Sequence, residues 1–201
     1  MHGPAFFDGI YERAGGDDGA VPWQHALSRP FIGEWLEGYE PDGDVRAMVV
    51  AAGLGDDAAA LARTGATVTA FDVSPTAVAW AKERHADLEV EWRQADLFDL
   101  PAEWAGAFDL VVEVFTVQSI QPSRQAEAAH VVADLVAPGG TLVVVALIHH
   151  ADEEPGGPPW PIRPETLEIL TDGFDERSRR TEPVGETTTC VRIELQRPTT
   201  G

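Results

Sequence analysis

One run constrains this chain more than any other: Met48-Val49-Val50-Ala51-Ala52-Gly53-Leu54-Gly55-Asp56-Asp57. It joins an apolar stretch to a turn of small residues and then to the alanine-rich segment 58–64. A second short apolar run follows and ends in Phe71-Asp72-Val73-Ser74, one strand–helix unit further on. A buried strand, a tight turn, a helix and a second strand closed by an acid make the nucleotide-binding half of a doubly wound α/β sheet. Small residues let the backbone approach a ligand, and the terminal carboxylate can accept from a ribose diol.

The charges narrow the ligand. A dinucleotide site usually carries a third glycine where Asp56, Asp57 and Ala58 stand here. Two carboxylates at a helix start would repel a diphosphate that the helix dipole otherwise attracts. They suit a ligand with an ammonium and a sulfonium, and S-adenosylmethionine is such a ligand; NAD is disfavoured. Two further acids fall in the expected order. Asp96 in Gln94-Ala95-Asp96-Leu97 follows the strand-like run 88–93, where it can accept from an adenine amino group. Glu113 lies near the end of the apolar run Phe108-Asp109-Leu110-Val111-Val112-Glu113. In open α/β sheets, ligands bind outside the carboxyl ends of the strands.

From about Arg46 to Leu147 the chain resembles the class I S-adenosylmethionine-dependent methyltransferases, and Asp134-Leu135-Val136-Ala137-Pro138-Gly139-Gly140-Thr141-Leu142 matches that family's passage into its fifth strand. There Pro138 is expected to stop a helix and the glycines to turn the chain into the strand. The resemblance implies an α/β, Rossmann-like, doubly wound and mostly parallel seven-stranded sheet with an antiparallel C-terminal edge pair. Strands are expected near 46–51, 67–71, 88–93, 108–114 and 140–147, with helices near 56–64, 75–85 and 122–136. Ser74-Pro75 is a good helix start, as N-cap and first-turn proline. Helices at 4–11 and 29–38 precede the sheet, and extended segments at 174–182 and 187–197 would pair at its edge. The chain is expected to be one methyltransferase domain over 1–201, with a helical N-terminal cap over 1–45 and the Rossmann-like core over 46–201.

Composition sets the class of partner. A net charge of −20 opposes phosphate contacts, so a nucleic-acid substrate is not expected. No apolar run nears the roughly 18 residues of a membrane span. No secretory leader is read at Met1–Ile10, so a cytoplasmic location is the expectation. The single cysteine, Cys190, cannot form an internal disulfide and reads as a strand residue without chemistry. A small-molecule methyl acceptor follows, with the protein a monomer or homodimer.

Two segments outside the common core sharpen the resemblance. Val21-Pro22-Trp23-Gln24 follows the polar loop 15–19, and Gly156-Gly157-Pro158-Pro159-Trp160 lies in the long loop from Ile148. Both look like the thiopurine and thiol/halide methyltransferase group, although Ala51 replaces the first glycine of that group's turn and Trp160 stands where tyrosine is common. By that resemblance Trp23, Gly53, Gly55, Asp72, Val73, Asp96, Leu97 and Glu113 line the cofactor site, and Asp57 helps to fix the glycine turn. Trp23 would place an aromatic face over a sulfonium. Glu113 and Phe115 sit at the junction with the acceptor, and His150 and Trp160 contact it. The 148–160 loop is expected to fold over the pocket mouth.

Methyl transfer from sulfonium is an in-line displacement that positioning alone promotes, so a thiolate acceptor needs no base. An alcohol or amine does need one, and His149 or His150 is placed to supply it, with Glu113 the other residue expected to be catalytic. Three readings stand: a methyltransferase of thiols or similarly soft nucleophiles, an O- or N-methyltransferase using a histidine base, and a cofactor-binding protein without turnover, for which Ala51 leaves room. A metal held by His149, His150, Asp152 and Glu153 is disfavoured, because adjacent residues rarely converge on one ion.

Overall fold

In the computed structural model, residues 4–24, 29–153 and 156–199 are described. Seven strands form one sheet in the order β3-β2-β1-β4-β5-β7-β6. The strands are β1 (Arg46–Val50), β2 (Thr67–Asp72), β3 (Val90–Gln94), β4 (Phe108–Val114), β5 (Val136–His149), β6 (Asp175–Pro183) and β7 (Thr188–Gln196). β1 to β5 run parallel, and β7 pairs antiparallel with both β5 and β6. The order reverses between β1 and β4, which opens a crevice at their carboxyl ends.

Among the described residues, six α-helices cover the sheet: α1 (Pro4–Ala14), α2 (Arg29–Glu37), α3 (Asp56–Arg63), α4 (Pro75–Arg84), α5 (Pro122–Asp134) and α6 (Pro164–Thr171). Period-two alternation along the strands divides the core between the two faces. Ala47, Val49, Val112, Val143 and Val145 pack with Phe31, Ile32, Ala58 and Leu61 of α2 and α3. Met48, Val50, Val111, Val144 and Ala146 pack with Ala128, Val132 and Leu170 of α5 and α6.

Three expectations need correction. β5 starts at Val136, before Pro138, because α5 already ends at Asp134 and Val136 pairs with Phe108. The next pair is Leu110 with Thr141, so residues 137–140 are a bulge inside the strand. Gly140 is required there, since a Cβ would lie 2.9 Å from the Ala137 carbonyl oxygen. The helix α6 was not expected from the sequence: it is two turns long, and its N-cap Arg163 makes no side-chain cap bond. The loop after β5 is also no free flap. Ile148 bridges to Ile162, and Arg163 donates to the carbonyls of Ala151, Asp152 and Glu153. Glu154 and Pro155 of that loop lie outside the described residues.

Candidate active site

The cofactor half is built from three turns. After β1 the chain turns through Ala51 at φ 47°, Gly53 at φ 54° and Gly55 at φ 81°. Ala51 adopts the left-handed conformation that a glycine would take without penalty, so the turn keeps its shape. Gly53 is buried, and a Cβ there would lie 2.9 Å from the Tyr11 hydroxyl oxygen. Gly55 also has a packing duty. A Cβ on it would stand 2.3 Å from the Trp92 ring, so its bare backbone packs α3 onto β3.

Asp72 ends β2 and is 7% exposed. One carboxylate oxygen accepts the Gly53 N–H and the other the Ser74 N–H, both at 2.9 Å. Burial raises its pKa, opposed by those amides and by the Val73 amide. A carboxylate offers about four acceptor sites, and two N–H bonds leave capacity for a diol. Next along the edge, exposed Asp96 accepts the Phe98 N–H at 3.0 Å, while Leu97 is buried in the core beneath it. Phe98 itself lies under the Arg124 guanidinium, 3.4 Å from the ring centroid.

Trp23 joins this half from the N-terminal segment. Its indole N–H donates to the Tyr11 hydroxyl at 2.9 Å, and its ring meets those of Tyr11 and Phe7 edge-on. Burial, and secondarily the charge of Asp72, raise the Tyr11 pKa, so this phenol stays neutral. Asp56 is tied to Gln24, Arg84 and His85 and so clamps that segment to α3 and α4. Asp57 faces the α2–α3 groove with Ile32 and Leu36.

The acceptor half gathers where β1, β4 and β5 end. Glu113 has no exposed surface; Oε1 accepts the Thr116 and Val117 amides at 2.6 and 3.0 Å, and Oε2 is buried with no hydrogen-bond partner. Burial pushes its pKa up to about 7. The Thr116 hydroxyl donates to the Val50 carbonyl at 3.2 Å. Gln118 is fully buried; its Oε1 accepts the Leu147 N–H at 2.7 Å while Nε2 is unpartnered. Phe115 is held at φ 59°, a costly conformation for a bulky residue, and its half-buried ring packs toward the α2–α3 face. Trp160 is fixed on both sides: its N–H donates to the Gln118 carbonyl at 2.6 Å and its carbonyl accepts from Gln125 at 2.9 Å.

The candidate base His149 and the candidate catalytic residue Glu113 are both engaged within the fold. His149 is 8% exposed, with Nδ1 at 3.4 Å from the Thr188 hydroxyl and Nε2 at 3.1 Å from the Glu153 carbonyl. It anchors the loop to β7. Glu113 is closed off from the crevice and anchors the turn after β4. His150 is exposed and bonds the Thr189 hydroxyl at 2.9 Å. Among the described residues, no group of three or more His, Cys, Asp or Glu side chains is placed to hold a metal. Cys190 is buried, with its thiol pushed up to about 12 chiefly by burial. Sequence reasoning missed Tyr11, Thr116, Gln118, Gln125 and Arg163. None sits in a local pattern; each acts on a segment distant in the chain.

A cleft of about 570 Å3 also runs along residues 65–69 and 88–91. It lies at the amino ends of β2 and β3, the wrong end for a ligand of this sheet.

Comparison with known proteins agrees with this geometry. Residues 47–140 match the family model described as a methyltransferase domain. A probable thiol methyltransferase of Arabidopsis thaliana is 31% identical over 166 residues, spanning 78% of this chain and 70% of the relative. A thiocyanate methyltransferase of Brassica oleracea is 27% identical over 196 residues, spanning 90% and 80%. Among solved structures, the N-methyltransferase NodS of Bradyrhizobium japonicum with S-adenosylhomocysteine superposes with a TM-score of 0.72, covering 96% of this chain and 98% of NodS at 18% identity. The [4+2]-cyclase SpnF superposes at 0.69 with 21% identity, covering 92% of this chain and 85% of SpnF. At such identities these two speak for the fold alone. Fold, crevice and sequence relatives together establish that the chain belongs to the class I S-adenosylmethionine-dependent methyltransferases and resembles, among them, the thiol methyltransferases.

Proposed function

We propose that this methyltransferase of small molecules acts on a thiol or a comparably soft nucleophile. The observation that carries the reading is the state of the acceptor half: the two side chains expected to be catalytic are engaged within the fold, His149 through its contacts with Thr188 and Glu153 and Glu113 by complete burial. A thiol ionises near pH 8.5 and attacks as its thiolate, so binding and alignment suffice. A phenol or amine would need proton removal by a group that these two cannot supply. The thiol and thiocyanate methyltransferase relatives add sequence support.

When bound, S-adenosylmethionine supplies a methyl group on a cationic sulfur. This chain would hold it through the turn at Gly53, the diol-accepting carboxylate of Asp72, and Val73, Asp96 and Leu97 along the sheet edge. Trp23 offers an aromatic face to the positive charge. Phe115 and Trp160 give the acceptor polarizable walls that suit sulfur, and their rigid mounting keeps water from replacing it. The second reading, O- or N-methylation, rests on His150, which is exposed beside the Thr189 hydroxyl.

The test is methyl transfer from labelled donor to three acceptor panels, with thiols and small soft anions in one, phenols in another and amines in the third. Label is expected in the first panel. Label in phenols or amines, with thiols unlabelled, would overturn the reading.

A further inference from the structure

The sequence places α1 ahead of the sheet and gives it no part in the site. Its inner face nevertheless reaches two turns of the cofactor half, those at Gly53 and at Ser74. Phe7, Asp8 and Tyr11 are three and four residues apart, so they share one side of the helix. Tyr11 takes the Trp23 indole N–H, and its oxygen is what a Cβ on Gly53 would strike. Asp8 reaches the other turn: its Oδ1 accepts the Ser74 hydroxyl at 2.6 Å and the Thr76 N–H at 3.1 Å. Ser74 is thus held at both ends. Its hydroxyl gives to Asp8 while accepting the Ala77 N–H as the N-cap of α4, and its own N–H gives to Asp72.

The capping arrangement is unusual in its source. Ser74 caps α4 locally at the Ala77 N–H, and Asp8 takes the Thr76 N–H that this cap leaves over. A helix that had only to pack could do so with apolar side chains. The import of a carboxylate from a segment 66 residues away makes the geometry of Ser74, and through it the orientation of Asp72, depend on where α1 sits.

We propose that Asp8 is a positioning residue for the methyl donor, acting through Ser74 on Asp72, and that α1 closes over the donor as a lid with Asp8 as its latch and Tyr11 as its contact on the Gly53 turn. The proposal rests on the cofactor half alone. It is independent of which acceptor is used, so its failure and the failure of the thiol reading are separate results.

Binding of S-adenosylhomocysteine by calorimetry, on the full chain, tests it with Asp8→Ala and Asp8→Asn. Asparagine keeps an oxygen that can accept both bonds, whereas alanine keeps none. Alanine is expected to weaken binding roughly tenfold and asparagine to restore it to within about threefold. The KM for the donor should rise in parallel while kcat stays within about twofold. Unchanged affinity in Asp8→Ala, or asparagine as weak as alanine, would overturn the proposal. Should alanine prevent folding, hydrogen exchange on the unmutated chain decides. Amides of residues 7–14 should exchange about tenfold more slowly with S-adenosylhomocysteine present, and exchange there that ignores the ligand would equally overturn it.

Discussion

At the ends of β1 and β2, Asp72 accepts two backbone N–H bonds and keeps acceptor capacity for a ligand. At the ends of β4 and β5, Glu113 and Gln118 each bind the chain through one atom and bury another without a partner. The cofactor half is therefore preorganised around a buried carboxylate with acceptor capacity left over. The acceptor half is preorganised as a knot whose polar atoms tie β1, β4, β5 and the 156–160 strap together. One side reads a ligand common to a large family by its hydrogen bonds. On the proposed reading, the other offers shape and polarizable walls to a soft acceptor.

The largest effect that would sharpen this contrast is expected from Gly55→Ala. The new Cβ would overlap Trp92 and stand at φ 81°, so denaturant unfolding should show a loss of about 3 kcal/mol. Trimming Trp92 to leucine in the same chain should make the pair less than additive, because the two share one contact. Loss of donor binding with full stability would instead make Gly55 a ligand-contact glycine.

Glu113→Gln comes next. The folded-state pKa of about 7 lies above the ordinary 4.5, so the folded protein favours the neutral acid. The carboxyl's contribution to stability is complete below about pH 4.5 and is lost as pH rises through about 7. Glutamine can still accept the two amides and stays neutral. It should therefore be more stable than the native chain at pH 8, by about 2 kcal/mol, with the advantage vanishing near pH 4. Melting curves across that range give the answer. A glutamine chain weaker at pH 8 would show that the charge itself is needed.

His149→Asn is expected to cost about 1 kcal/mol of stability through loosening of the 150–153 loop, and less than tenfold in kcat on a thiol. A general base would cost about a hundredfold or more, so a loss of that size would return His149 to the chemistry. Ala51→Gly has the smallest expected effect, a gain of roughly 0.5–1 kcal/mol in thermal unfolding, because glycine relieves the left-handed strain and gives part of it back as unfolded-chain entropy.

The difference between the halves also explains what the sequence could reveal. β1, β2, β4, α3 and α4 came within a residue or so of their ranges, since each is an apolar run bounded by its own turn or cap, such as Ser74-Pro75. Asp72 and Gly53 were readable for the same reason: the groups that fix them are neighbours in one strand–turn–helix pattern. The bulge at 137–140 was not, because its cause is the backbone of Phe108, a partner strand away. Nor was the engagement of His149, which depends on Thr188 across the hairpin. Gln118 and Gln125 carry no local signal, as a buried amide that docks a distant loop looks the same in sequence as an exposed one. Tyr11 and Asp8 were hidden likewise, since Trp23, Gly53 and Ser74, which they meet, lie well outside their own helix.

The most direct measurement is calorimetric titration of S-adenosylhomocysteine into the native chain and into Asp72→Ala. The native chain should bind, and the variant should bind more weakly by roughly 1–3 kcal/mol through loss of charge-assisted hydrogen bonds, with its fold retained. Equal affinity in the two chains would contradict the assignment of the Asp72 carboxylate as the centre of the cofactor site.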